Sequence, residues 1–311
     1  SVSDRFPQQA ATVRNYIAQA YFLRALVHLD LCLVYGQTYT YSSDASHLGT
    51  AVMTTIPDVK SKIARSSASA TYKQILSDLQ TALDMFADGW TKGCFYASPA
   101  ACKALMARVY LYMGNYADAK KYASEVISDY GLSLTPRADY VAMFCGRKEG
   151  QEAIFRLNGL SGGAKLRSMF DYTSPQMYPS GKLLDIFASD ADAWTGSDVR
   201  SELFSYKTAD GTEYSGVCMK FIDTEDIDET QKRYDPFVLR LSEMYLIRAE
   251  AACHDGDTDT AVSDIAALEA RARGVQTSDI NVTFSSIDDL AGLSRGRGSR
   301  NFSLRATGCL T

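Results

Sequence analysis

Residues 239–251, LRLSEMYLIRAEA, constrain the fold of this chain more than any other stretch. Apolar Leu, Met, Tyr and Ile recur there at three- and four-residue steps, the period of an amphipathic helix. The same segment carries Arg240, Glu243 and Glu250, read as scaffold groups that hydrogen-bond helices or the returning chain. Ala249 and Ala251 are small enough to let neighbouring helices approach closely. Such a helix requires a partner, and the next residues supply one. Gly256 marks a turn, and Ala261, Ile265 and Leu268 continue the small and large alternation beyond it.

The same logic appears earlier in the chain. In ALMARVYLYMGNYADAKKYASEVI, Leu111, Gly114, Tyr116, Ala119, Tyr122 and Ile127 stand where a tetratricopeptide unit wants a large residue, a turn glycine, an aromatic and small packing residues. Ser98 and Pro99 open the first of these helices, Ser as a cap and Pro at a position that forfeits no hydrogen bond. Ala104, Leu111, Ala119, Leu246, Ala249 and Leu268 are expected in the core. A longer helix runs from Pro7 to Gly36 with Ile17, Ala20, Tyr21, Ala25, Leu29 and Cys32 as its apolar face. Another runs from about Ser69 to Phe86, with Tyr72, Ile75, Leu76, Leu79 and Leu83 inward. These two pair in the same way, flanking an exposed loop over residues 37–58.

Residues 135–235 differ in composition. Helical periodicity is rare there, apart from a short helix over 180–187, and 152–157 reads as a short strand. Phe170, Tyr172, Tyr178, Trp194, Phe204, Tyr206, Tyr214 and Tyr234 fall in this stretch, and linkers do not use aromatics so freely. The expected organisation is a helical repeat scaffold over 1–134, a loop-rich ligand-binding insert over 135–235, a C-terminal helical repeat over 236–294 and an aberrant tail over 295–311. The fold class is mainly α, a tetratricopeptide-like scaffold carrying that insert.

Composition removes several functions. The chain has 311 residues, and its 32 basic against 37 acidic residues leave a net charge of −5, no footprint for nucleic acid. No apolar run approaches the roughly 18 residues of a membrane span, and the first residues lack the pattern of a signal peptide. Seven scattered cysteines and the isolated His28, His47 and His254 lack the spacing of a metal site, so no metal and no cofactor is expected. The cysteines read as small buried hydrophobes. Asp255, Asp257 and Asp259 alternate as in a calcium loop, but Thr260 replaces the needed glycine and Ala266 the closing glutamate, so a solvated turn is expected. The acidic run 223–229 reads as an exposed loop, and the Arg/Gly run 295–300 lacks the repetition of an RNA-binding tail. No hydrolase, metalloprotease or nucleotide-binding fingerprint is present, which argues against an enzyme; paired acids leave a glycoside hydrolase as a remote alternative.

Four segments, in order, resemble the SusD/RagB family of outer-membrane nutrient-binding lipoproteins: YFLRALVHLDLCLVYG (21–36), the repeat over 104–127, EAIF (152–155) and LRLSEMYLIRAEA. The resemblance implies a protein that captures glycan or peptide at the cell surface. It also implies a SusC-like TonB-dependent outer-membrane transporter as partner, to which the ligand is delivered. A tetratricopeptide-type protein adaptor is the alternative. The full-length protein is expected to carry a lipid anchor that this chain lacks.

Sugars present an apolar ring face edged by hydroxyls, so exposed loop aromatics are the candidate ligand-binding residues: Tyr172, Tyr178 and Trp194, with Trp90 a further suspect. Tyr39 and Tyr41 join them because the resemblance places their loop near the ligand surface. Catalytic residues are not expected. Residues 295–311 read RGRGSRNFSLRATGCLT where the resemblance calls for E-R-x-x-E-F/L-x-x-E-G-x-R-x-x-D-L. Permitted codons for 299–311, read from the third base of Ser299, give QEFFFEGHRLFD. The chain is therefore expected to be a fragment with a frameshifted C-terminus.

Overall fold

A computed structural model describes residues 7–58, 60–145, 150–159, 167–193, 198–222, 234–282, 284, 286 and 289. It divides into two compact units, one ending at Tyr130 and the other beginning at Gly131. The molecule is mainly α-helical.

The first unit is built from two helical pairs. Helices α1 (Ala10–Tyr35) and α2 (Ala68–Met85) pack together, as do α3 (Pro99–Met113) and α4 (Tyr116–Asp129). Ser67, Ser98 and Asn115 cap α2, α3 and α4, each side chain accepting from a first-turn amide. Gly114 closes α3 with a left-handed φ of 73°, a backbone that a residue with a Cβ adopts only under strain. Ala104 and Ala119 are fully buried in this pair, and Leu111 lies at its partly exposed margin.

The inward face of α1 departs from the sequence reading. Ala25, Leu29 and Cys32 are buried as expected, but the stripe continues through Phe22, Ala18 and Asn15, while Ile17 and Ala20 face solvent. Both stripes have helical spacing, and polar contacts to the second helix select between them. Asn15 Oδ1 accepts from Ala87 N at 2.9 Å, and Arg24 grips the buried Asp78 of α2 at 2.6 and 2.8 Å. The opposite side of α1 leaves Tyr16, Ile17, Leu23, Val27, Val34 and Tyr35 exposed. This helix is long and apolar enough to cross a membrane by length and composition, unlike any run seen in sequence, yet here it packs as a scaffold helix.

The second unit contains α5 (Arg137–Cys145), β1 (Ala153–Arg156), α6 (Gly181–Ala193), a β2–β3 hairpin (Ser205–Lys207, Glu213–Ser215), β4 (Phe237–Arg240), α7 (Leu241–His254) and α8 (Thr258–Arg273). Strands β1 and β4 pair antiparallel, with Ala153 opposite Arg240 and Phe155 opposite Leu239. The amphipathic helix read from Leu239 therefore begins at Leu241, because Leu239 and Arg240 complete the strand pair instead. Ala249, Ala252 and Cys253 of α7 pack on Ala261, Ile265 and Ala266 of α8, and Leu246 and Leu268 are also buried. The turn between them is the one expected from the aspartate run, with Asp257 capping α8 through Thr260 N at 3.1 Å.

Three buried carboxylates, Glu152, Glu269 and Asp198, help to fasten this unit. Glu152, wholly buried, accepts from Arg240 Nη1 at 3.2 Å, Ser242 Oγ at 3.1 Å and Arg271 Nη1 at 3.4 Å. Glu269 meets Arg200 at 2.9 Å and Arg273 at 3.3 Å, and Asp198 holds the other side of Arg200 at 2.8 and 2.9 Å. Burial works against the Arg200 charge, but Glu269 and Asp198 outweigh it and raise its pKa. Glu243 is buried in the first turn of α7, and Glu250 of the same helix is partly exposed.

The insert has more structure than its composition suggests. Helix α5 and a hydrophobic core that includes Tyr140, Phe144, Phe187, Phe221 and Ile222 occupy it. Phe170, Phe204 and Tyr234, loop aromatics in sequence, are buried in that core. A hundred residues cannot stay ordered on loops alone, since the entropy of fixing them must be offset by apolar burial.

Candidate functional site

In the second unit the hairpin positions a tyrosine cluster. Tyr206 on β2 lies directly opposite Tyr214 on β3, and cross-strand partners share a face. Tyr172 packs on both, with ring centroids 4.6 Å from Tyr206 and 5.1 Å from Tyr214. All three rings are half-buried. Asp210 and Gly211 form the hairpin tip: Asp210 accepts from Thr212 N at 3.1 Å, and Gly211 adopts a φ of 91°. Lys207 and Glu213 pair across the exposed face at 2.9 Å. Burial raises the Tyr172 hydroxyl pKa, Tyr206, Asp171 and Tyr214 add to it, and the Arg167 charge opposes it. At neutral pH this hydroxyl stays protonated and can donate to a ligand oxygen. Tyr178, 63% exposed, belongs to the same unit but makes no ring contact with the cluster among the described residues.

The first unit carries Tyr39 and Tyr41 on one short 3-10 turn, Tyr39–Tyr41. They have different surroundings. Tyr39 rests on the buried Tyr72 of α2, ring centroids 4.8 Å apart, whereas Tyr41 is 66% exposed with its edge to His47 at 5.3 Å. Arg65 ties the loop together, donating to the carbonyls of Gly49 at 2.6 Å and Tyr35 at 2.8 Å. Trp90 is half-buried against Phe86, and its Nε1 donates to Ala97 O at 3.1 Å, so one face is already occupied. The Lys92 ammonium lies over the rings of Trp90 and Tyr96.

Of the five sequence candidates, then, Tyr172 enters a cluster, Tyr39 is a packing residue on one face, and Tyr41 and Tyr178 are exposed. Trp194, the acidic run 223–229 and the tail 295–311 lie outside the described residues. Sequence reasoning missed Tyr206 and Tyr214 as members of the site. Their signal was SYKTADGTEYS, an Asp-Gly turn flanked by tyrosines at matched distances, which reads as a hairpin placing both on one face. The described cysteines are all buried thiols, and burial pushes the Cys218 thiol up to about 11. Among the described residues no group of three or more His, Cys, Asp and Glu comes together.

Helical pairs closed by glycine turns, a strand clasp leading into the last pair and an aromatic-bearing inserted core define a mainly α repeat scaffold. Two family models match it. One, described as starch-binding associating with outer membrane, matches residues 2–111, and the SusD family model matches 151–289. The chain belongs to the SusD/RagB family. Comparison with curated proteins gives no match. Among solved structures, a Bacteroides vulgatus protein named as a candidate sugar-binding protein superposes with a TM-score of 0.78 at 22% identity, over 96% of this chain and 65% of that one. A SusD superfamily protein of Bacteroides thetaiotaomicron gives 0.73 at 25% identity, over 91% and 64%. A SusD-like carbohydrate binding protein of Bacteroides vulgatus gives 0.73 at 20% identity, over 93% and 60%. This chain thus spans less than two thirds of the length of each.

Proposed function

We propose that the protein binds a glycan at the cell surface and passes it to a partner TonB-dependent transporter of the outer membrane. The observation that carries this reading is the cluster of Tyr172 with Tyr206 and Tyr214 of the β2–β3 hairpin, in a SusD-family scaffold. Tyrosine rings offer apolar surface to sugar rings, and phenolic hydroxyls at their edges meet the ring hydroxyls. Supporting it, one matching family model is described as starch-binding, and two of the similar structures are named for sugar or carbohydrate binding. Exposed Tyr178 and Tyr41 offer further contact surface, each within its own unit.

The protein acts by capture and delivery, without bond cleavage. Peptide is the competing ligand class, and a protein-adaptor role or glycoside hydrolysis is the competing function. A combined glycan and peptide array on purified protein, with turnover monitored, separates them. Glycan retained without cleavage is the expected result; cleavage, or retention of peptides alone, overturns the reading. Co-purification with a SusC-like transporter tests the delivery step, and loss of cell-surface labelling on removing a lipid anchor tests the location.

A further inference from the structure

In a stack of helical repeats the terminal unit needs a polar outer face to stay in solution. Helix α2 presents such a face: its exposed residues, at three- and four-residue steps, are Ala70, Lys73, Ser77, Gln80 and Asp84. Its partner α1 does not. Between residues 16 and 35 every exposed residue of α1 except Asp30 is apolar. Tyr16, Ala20, Leu23, Val27, Leu31 and Val34 form one stripe at the same steps, with Tyr16 52%, Val27 54% and Val34 47% exposed. A helix apolar on nearly every side belongs inside a folded molecule, covered on both faces.

A bilayer does not fit this stripe. Lipid would have to meet α1 on all sides, but the side toward α2 carries Asn15, Arg24 and His28, each bonded to a polar partner. A further helix does fit. The stripe spans about five turns, and the small Ala20 within it lets another helix approach closely. The similar structures contain chain that could supply one. They are covered over 65%, 64% and 60% of their lengths, so more than a third of each has no counterpart in these residues.

We propose that α1 is an interior helix of the scaffold, its outer stripe covered by an amphipathic helix of the full-length protein that corresponds to part of that unmatched third. The covering helix carries apolar residues at three- and four-residue steps over about five turns, large where α1 offers Ala20 and small where it offers Tyr16. This inference concerns the first unit alone and stands or falls independently of the glycan reading.

Thiol labelling tests it, comparing the 311-residue chain with the protein encoded by the complete source gene. The described cysteines are buried, and Cys309→Ser removes the one outside the described residues, which leaves a quiet background. Val27→Cys reports on the stripe, and Ser77→Cys on the polar face of α2 is the exposed control. In the 311-residue chain the two should label at similar rates. In the complete protein Val27→Cys should label about tenfold or more slowly than Ser77→Cys. Val27→Lys should correspondingly lower the melting temperature of the complete protein and leave that of the shorter chain unchanged. Tyr16→Cys repeats the labelling at the other end of the stripe should Val27→Cys fold poorly. Equal labelling of stripe and control in the complete protein overturns the proposal, as does a source gene that encodes no further chain. Protection of Val27→Cys in the 311-residue chain that grows with its concentration identifies a second copy as the occupant and overturns it too.

Discussion

His28 shows how much one side chain governs a loop. It lies 3% exposed on α1, and its Nε2 accepts the Met53 amide at 3.0 Å, so the proton resides on Nδ1. Burial lowers its pKa, Asp78 of α2 opposes that, and Arg24 on its own helix reinforces it. Protonation would put a second N–H against the Met53 N–H and remove the acceptor. Because the folded-state pKa is depressed, the contribution to stability is fully present above the ordinary value of about 6.5 and is lost as pH falls through the folded value. Protection of the Met53 amide from hydrogen exchange should therefore drop between neutral and mildly acidic pH, after correction for intrinsic rates. His28→Gln, which keeps an acceptor without a titrating ring, should flatten that dependence; equal pH profiles for both proteins would refute the latch.

Glu152 is the corresponding residue in the second unit. It neutralises Arg240 and Arg271 with no exposure of its own. Glu152→Ala removes the buried carboxylate that Arg240 and Arg271 share and should cost about 3–5 kcal/mol in denaturant unfolding. A loss below about 1 kcal/mol, the range of an exposed pair, would show that solvent reaches the pair.

Elements were legible where one period dominated. The helical pairs followed from glycine turns, caps and alanine spacing, and Ala104, Ala119, Ala249 and Leu268 are fully buried as the repeat pattern requires. Leu268→Ala should destabilise by about 2–5 kcal/mol, and Ala249→Leu by about 1–3 kcal/mol through overpacking; neutral outcomes in thermal unfolding would place the α7–α8 seam elsewhere. Legibility failed where two patterns coexisted. Helix α1 is apolar on nearly every side, so periodicity gave the helix but not its inward face, and only the partners of Asn15 and Arg24 decide it. Leu239 and Arg240 fit a helical stripe in isolation, but Ala153 and Phe155, far back in sequence, draw them into a strand. The insert's aromatics divide between core and surface by tertiary contact: Phe170 is sealed by Phe221, while Tyr178 is free of the core. Nothing local separates those two fates, whereas the pairing of Tyr206 with Tyr214 was written in the turn between them.

At the scale of the whole molecule, the residues that carry the family resemblance are structural. Glu152, Arg240 and the α7 seam bind the scaffold to itself, whereas the tyrosines that could grip a ligand are other residues, half-buried against the core of the same unit. Such a division lets ligand preference change without disturbing the fold, as sites grafted on a stable scaffold allow. Substitutions at the exposed Tyr41 and Tyr178 should consequently separate binding from stability more cleanly than those in the half-buried cluster. The most direct measurement is calorimetric affinity, for a glycan selected on the array, of the wild type and of single alanine variants at Tyr39, Tyr41, Tyr172, Tyr178 and Trp194, each with its melting temperature. Tyr172→Ala is expected to weaken binding by about tenfold, a ring-stacking contribution of roughly 1–2 kcal/mol, and to lower the melting temperature through its lost packing on Tyr206 and Tyr214. Affinity unchanged across all five variants would contradict the account and move the ligand site elsewhere.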